Sequence, residues 1–158
     1  VCNKIPIVLI VEDRPEIAKI WTNALEEYAA FGKIEIWHVD NLADAKRRSI
    51  EIPPPDLILL DLRLTDAKDI ETLAAIREFK KGNPDLCVLI ISGYLTPDLA
   101  KLAIEQGAHG IQEKMSITRT AELWAVINSA IQQAPPNARK AIPYLGNIIE
   151  KLSQTFII

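Results

Sequence analysis

The chain has 158 residues, 49% hydrophobic, 25% charged and 6% aromatic, the profile of one globular domain large enough to hold a core without disulfides or structural metals. Lys+Arg 18 against Asp+Glu 21 leave a formal charge of -3, which argues against nonspecific attraction to a nucleic-acid backbone or an anionic membrane.

The run from Ile5 to Val11, IPIVLIV, is apolar at both alternating positions and reads as a strand covered on both faces. Asp13-Arg14-Pro15 then offers a helix start, with Asp13 as the cap and an early-turn proline. Ile17, Ile20, Trp21, Ala24, Leu25 and Tyr28 share one face of the helix that follows. Ile34 to Val39, IEIWHV, alternates and fits a strand nearer an edge; a helix is expected from Leu42 to about Ile50. Leu57 to Leu60, LILL, is a second doubly covered strand. The helix after it, carrying Leu73, Ile76 and Phe79 on one face, is closed by Lys81-Gly82-Asn83-Pro84. Leu86 to Ile91, LCVLII, is the third such strand, and Thr96-Pro97 opens a helix running to Glu105. His109 to Gln112 is a weaker fifth strand. A last helix of the repeat runs from Ile117 to about Ile131, where Leu123, Trp124 and Ile127 recur.

This βα unit repeated five times predicts an α/β fold, an open doubly wound five-stranded parallel sheet with helices on both faces. It is expected to occupy residues 5–133. Ala134-Pro135-Pro136-Asn137 reads as a linker, and residues 134–158 as a C-terminal helical extension, in which Leu145, Ile148, Ile149, Leu152 and Phe156 share a face that must pack on its own domain or on a second chain. Cys2 and Cys87 lie far apart with no CxxC, so a reduced, cytoplasmic setting is expected. No apolar run reaches the ~18 residues that a bilayer span needs, and no signal-peptide pattern opens the chain. Its first residues, Val-Cys-Asn, lack a start Met, as expected of a processed chain or an excised fragment. His38 and His109 read as a strand and a turn residue, and Trp21, Trp37 and Trp124 as packing residues.

Ligands on such sheets bind beyond the carboxyl ends of the strands. There the sequence places Glu12 and Asp13 after the first strand, Asp61 after the third, Ser92 after the fourth and Lys114 just after the fifth. Taken singly, an Asp at a strand end is ordinarily a helix cap, a Ser a turn former and a Lys a solvated charge. Together they form a constellation. Carboxylates ~4 Å apart repel by ~4 kcal/mol at an effective dielectric of 20, so the acidic cluster calls for a cation; Mg²⁺, a hard ion that accepts carboxylates, waters and phosphate oxygens, suits it.

The pieces VLIVED, PDLILLDLRL, VLIISG and GAHGIQEK, in this order and spacing, make residues 5 to 133 resemble the receiver domain of two-component response regulators, with its flavodoxin-like fold. The resemblance implies that Asp61 takes a phosphoryl group from a phosphohistidine on a sensor histidine kinase or a histidine phosphotransfer protein. It implies that Asp13 and Asp61 bind Mg²⁺ directly, Glu12 through water, and Arg63 through its backbone carbonyl. Lys114 and Ser92 would contact the phosphoryl group, and the shift of Ser92 would carry the signal to an output domain or protein. Such a chain is a stoichiometric phosphoacceptor that assists its own modification rather than an enzyme, and a homodimer is one form it could take. Neither direct nucleic-acid binding nor a membrane is expected.

Three departures from the family pattern stand out. Ile111 occupies the place of the usual aromatic switch residue, so output coupling is expected to differ, and Met115 replaces the usual proline after Lys114. The loop Leu64-Thr65-Asp66-Ala67-Lys68-Asp69-Ile70 lacks the usual proline and glycine, while Arg63 and Tyr94 stand where the family tunes phosphoryl lifetime. One alternative is a pseudo-receiver that acts as an interaction module without phosphorylation. Another is an aspartate-nucleophile phosphatase of the haloacid dehalogenase type, whose DxDxT motif Asp61 to Thr65 superficially resembles; Arg63 removes that motif's second acid.

Overall fold

A computed structural model describes residues 5–30, 34–93 and 95–113, within which strands and helices alternate strictly. The strands are β1 (Ile7–Val11), β2 (Glu35–Val39), β3 (Leu57–Leu60), β4 (Cys87–Ser92) and β5 (Gly110–Glu113). The helices are α1 (Pro15–Ala30), α2 (Leu42–Ser49), α3 (Asp69–Gly82) and α4 (Pro97–Gln106). All pairings are parallel, in the order β2-β1-β3-β4-β5. The expected fold class is the one observed. The expected helix from Ile117 and the extension 134–158 lie outside the described residues.

The two-sided apolar character of the central strands follows from this order. Every residue of β1, β3 and β4 is buried, whereas no residue of β2 at the edge is, Glu35 and His38 being exposed and the rest partly covered. Leu9 and Val11, Ile58 and Leu60, Val88 and Ile90 project to one face, where Leu42 and Ala45 of α2, Leu73, Ile76 and Phe79 of α3, and Ala103 of α4 close a single core cluster. On the other face α1 packs on β1 and β2. Its buried stripe is Ala18, Trp21 and Leu25, while Ile20, expected on the inner face, is 51% exposed. A helix lying over the edge of a sheet buries a narrower stripe than its apolar residues could fill.

Local chemistry sets the element ends. β1 begins at Ile7 rather than Ile5 because Pro6 has no N–H to give; its carbonyl still accepts from Glu35 N at 2.9 Å. The Ile7 N–H is taken at 2.9 Å by Asp56 Oδ2, a buried carboxylate at the start of β3. At α1 the first helical hydrogen bonds go to the Arg14 carbonyl, so Arg14 rather than Asp13 holds the cap position. Thr96 caps α4 as expected, accepting from Leu99 N at 3.2 Å, and Gly107 ends it in the left-handed region at φ 105. Trp37 is partly buried and carries the Arg48 guanidinium 4.6 Å above its ring.

At the amino ends of β4 and β5 the ionisable groups are tuned by burial. The Cys87 thiol is pushed up to about 12, first by desolvation and against the nearby Lys80 charge, so it stays protonated and inert. His109 is more than a turn residue. Its ring accepts the Val88 N–H on Nδ1 at 3.2 Å while its backbone N–H donates to the Val88 carbonyl at 2.8 Å, so the ring stands in for the next rung of the ladder. Burial, with Lys80 adding to it, pushes its pKa from 6.5 down to about 4.

Two outcomes follow. Gly82 lies so close to the Ser49 carbonyl that an added Cβ would overlap it; Gly82→Ala is therefore expected to cost about 1–3 kcal/mol in denaturant unfolding. Neutral His109 contributes stability that is fully present above about pH 6.5 and lost as the pH falls toward about 4, because the unfolded chain takes up this proton first. His109→Gln, which keeps an acceptor but not the titration, is expected to lose less stability than wild type between pH 7 and pH 5. Equal losses would show that His109 contributes no such dependence.

Candidate functional site

The strand order brings the acidic residues together. Val11 pairs with Leu60, so Glu12 and Asp61 each leave the sheet one residue later and at the same level, on adjacent central strands. Backbone bonds extend the ladder to hold them there, with Asp61 N donating to the Val11 carbonyl at 3.0 Å and Glu12 N to the Val39 carbonyl at 3.1 Å. Leu60 pairs with Ile90, which sets Ser92 at the end of β4, beside the same crevice and fully buried. This is the switch point of the sheet, between β1 and β3, from which the chain proceeds to opposite sides.

Glu12, Asp13 and Asp61 each offer a carboxylate oxygen within 4.8 Å of the other two. Glu12 and Asp61 are buried and Asp13 is half-buried. Glu12 Oε1 accepts from Arg14 N at 3.1 Å, and Asp61 Oδ1 accepts from Arg63 N at 3.2 Å. These bonds aim both carboxylates without neutralising them. Three hard oxygen donors at this spacing, two of them in a low-dielectric setting, fit a small divalent cation that prefers oxygen ligands.

Beside the cluster an open cleft of about 850 Å³ is lined by residues including Asp13, Arg14, Arg63, Thr65, Lys68 and Asp69. Arg63 Nε lies 4.0 Å from Asp69 Oδ2 across it. Two contributors escaped the sequence reading. His38, in sequence a plain strand residue, contacts the Glu12 carbonyl through Nε2 at 2.9 Å; a carbonyl only accepts, so Nε2 donates in this bond. Asp66, in the loop after Asp61, accepts from two backbone N–H groups of α2. Of the expected site residues, Glu12, Asp13 and Asp61 are brought together, and Ser92 ends the adjacent strand β4. Ile111 pairs with Ile90 on β5 and packs, partly buried, against the core. Lys114, Met115 and Tyr94 lie outside the described residues.

Comparison with known proteins agrees with this geometry: the family model described as "Response regulator receiver domain" matches residues 8–128. The chain belongs to this family. Such receiver domains of two-component systems bind Mg²⁺ at an acidic site and interact with kinases and output domains. The chain is 32% identical over 126 residues to the luminescence regulatory protein LuxO of Vibrio campbellii, covering 79% of this chain and 25% of LuxO. It is 30% identical over 109 residues to the methanol utilization control regulatory protein MoxX of Paracoccus denitrificans, covering 69% of this chain and 47% of MoxX. The receiver thus spans half or less of either protein's length. Among solved structures, the beryllofluoride-activated NtrC4 receiver domain dimer superposes with a TM-score of 0.63 at 25% identity, over 81% of this chain and 98% of that one. No described helix is long and apolar enough to cross a membrane.

The acidic cluster makes a thermodynamic statement that can be checked. Without divalent cation, Asp13→Asn removes like-charge repulsion and is expected to raise stability by on the order of 1 kcal/mol. Wild type is expected to gain stability as Mg²⁺ is added, and the variant to gain much less, since an ion that binds only the folded state stabilises by mass action. Thermal melts across a Mg²⁺ titration measure both effects.

Proposed function

We propose that this receiver is a working phosphoacceptor whose acceptor residue is Asp61. The observation that carries the reading is the placement of Asp61, 1% exposed, level with Glu12 and within 4.8 Å of two other carboxylates at the switch point of the sheet. A structural role alone would not gather three carboxylates at one crevice, because their mutual repulsion costs stability unless a cation is shared there.

In this reading an Asp61 carboxylate oxygen attacks the phosphorus of a phosphohistidine on a sensor histidine kinase or phosphotransfer protein. A new O–P bond forms, the N–P bond breaks, and its electron pair returns to the imidazole ring. Mg²⁺, held by Asp13, Asp61, the Arg63 backbone carbonyl and Glu12 through water, would neutralise charge on the transferring group. The residues themselves supply positioning. Arg63 N fixes one oxygen of Asp61, and the ladder bond from Asp61 N to Val11 fixes the backbone behind it. Ser92 stands at the end of β4 to donate its hydroxyl to the phosphoryl group, and Lys114 takes the second such role by its place in the family motif. Ile111, one strand over, is the packing residue that a shift of Ser92 would disturb. The cleft beside the cluster, walled by Arg14, Arg63 and Lys68 and equally by Asp13, Glu16 and Asp69, would give a donor room to approach the site from the Asp13 side.

Residues 5–133 would form this unit and residues 134–158 a linker and extension toward an output partner, in a cytoplasmic protein. NtrC4, activated by beryllofluoride, is a receiver dimer; a homodimer of this chain in the activated state is the corresponding expectation here.

Intact-mass measurement after incubation with acetyl phosphate tests the reading. Wild type with Mg²⁺ is expected to gain one phosphoryl group; wild type without Mg²⁺ and Asp61→Asn with it are expected to gain none. Normal uptake by the folded Asp61 variant would refute the assignment. No uptake by wild type, together with failure to bind beryllofluoride, would point instead to a phosphorylation-independent interaction module.

A further inference from the structure

The segment between Asp61 and α3 is tied at both ends, and the far tie does not belong to its own surroundings. Asp66 Oδ1 accepts from Leu42 N at 2.9 Å and Asp66 Oδ2 from Ala43 N at 3.1 Å. These are the first two N–H groups of α2, some 24 residues earlier in the chain. The helix already has a cap of its own, since Asn41 Oδ1 accepts from Asp44 N at 2.7 Å. The bidentate carboxylate therefore does more than finish α2. It fastens the crest of the Asp61 loop to the positive end of a neighbouring helix through two charge-assisted bonds.

The near tie is the bond from Arg63 N to Asp61 Oδ1, backed by the burial of Leu62 and Leu64. Arg63 stands between the two ties, so the direction of its carbonyl depends on both. A loop built from Leu64-Thr65-Asp66-Ala67-Lys68 contains neither proline nor glycine to fix its path. Side-chain bonds supply that restraint, Asp66 to α2 and Glu71 Oε1 to Lys68 N at 3.2 Å.

We propose that Asp66 is a positioning residue for the Asp61 site, coupling the loop that carries the Arg63 carbonyl to the amino end of α2. The inference rests on Asp61 being the acceptor. Coupling of this kind is reciprocal: if fixing α2 to the loop favours the occupied site, then occupying the site changes the Asp66 bonds to Leu42 and Ala43. The amino end of α2 thereby becomes a surface that reports the state of Asp61.

Beryllofluoride with Mg²⁺, titrated into the full chain and followed by amide NMR, tests both directions. In wild type the Leu42 and Ala43 amide resonances are expected to move as the mimic saturates. Asp66→Ala is expected to weaken mimic binding about fivefold, the low end of measured couplings because Asp66 is exposed. Asp66→Asn, which keeps one acceptor oxygen, is expected to recover most of that loss. A folded Asp66→Ala that binds the mimic as wild type does would overturn the proposal, and so would Leu42 and Ala43 amides unmoved at saturation. Should Asp66→Ala fail to fold, the wild-type amides decide the matter. Wild type that takes no mimic at all would overturn the acceptor reading, and this inference with it.

Discussion

Parallel pairing of β1 with β3 is the constraint on which the site depends. It aligns Val11 with Leu60 and so forces the next residues, Glu12 and Asp61, to the same level on neighbouring strands. Each is an acid, each is buried, and Asp13 follows beside them. Like charges at this spacing repel, by on the order of 1 kcal/mol or more per pair once solvent and neighbouring groups are counted, an appreciable fraction of a domain's net stability. A sheet buried on both faces by Val, Ile and Leu is rigid enough to hold that strain without splaying, which is why the apolar strands and the acidic cluster have to be read together. The core stabilises the fold, and the part of that stability set against repulsion keeps the site poised for a cation.

The strands were the most legible part of the chain. LILL and LCVLII are apolar at every position, a pattern that a parallel sheet covered on both faces requires and an exposed sheet would not tolerate. Their order then made Glu12, Asp13, Asp61 and Ser92 visible as a group, because each immediately follows or ends such a run. Less legible was which residues of α1 face inward. Ile20 belongs to the apolar set but is half exposed, and Ala18 takes its place; the rotation of a helix over a sheet edge is decided by packing against β1 and β2 rather than by its own periodicity.

His38, Asp66 and His109 were illegible for a common reason. Each acts through a hydrogen bond to a residue more than 20 positions away, on Glu12, on Leu42 and on Val88. No spacing rule encodes such a bond. An Asp in a loop, a His on an alternating strand and a His in a turn are ordinary residues until the fold supplies the partner. The loop after Asp61 is the clearest instance. Its sequence departs from the family pattern, and what restrains it in place of proline and glycine is a carboxylate reaching across to another helix.

The function of this receiver turns on which carboxylate carries the phosphoryl group, since three lie within 4.8 Å of one another. Borohydride reduction of the acetyl-phosphate-treated protein, followed by peptide mass spectrometry, answers this directly: reduction of an aspartyl phosphate leaves homoserine at the modified position. The expected result is homoserine at Asp61 alone, formed only when Mg²⁺ is present. Reduction product at Asp13 or Glu12, with Asp61 unchanged, would contradict the assignment of the acceptor.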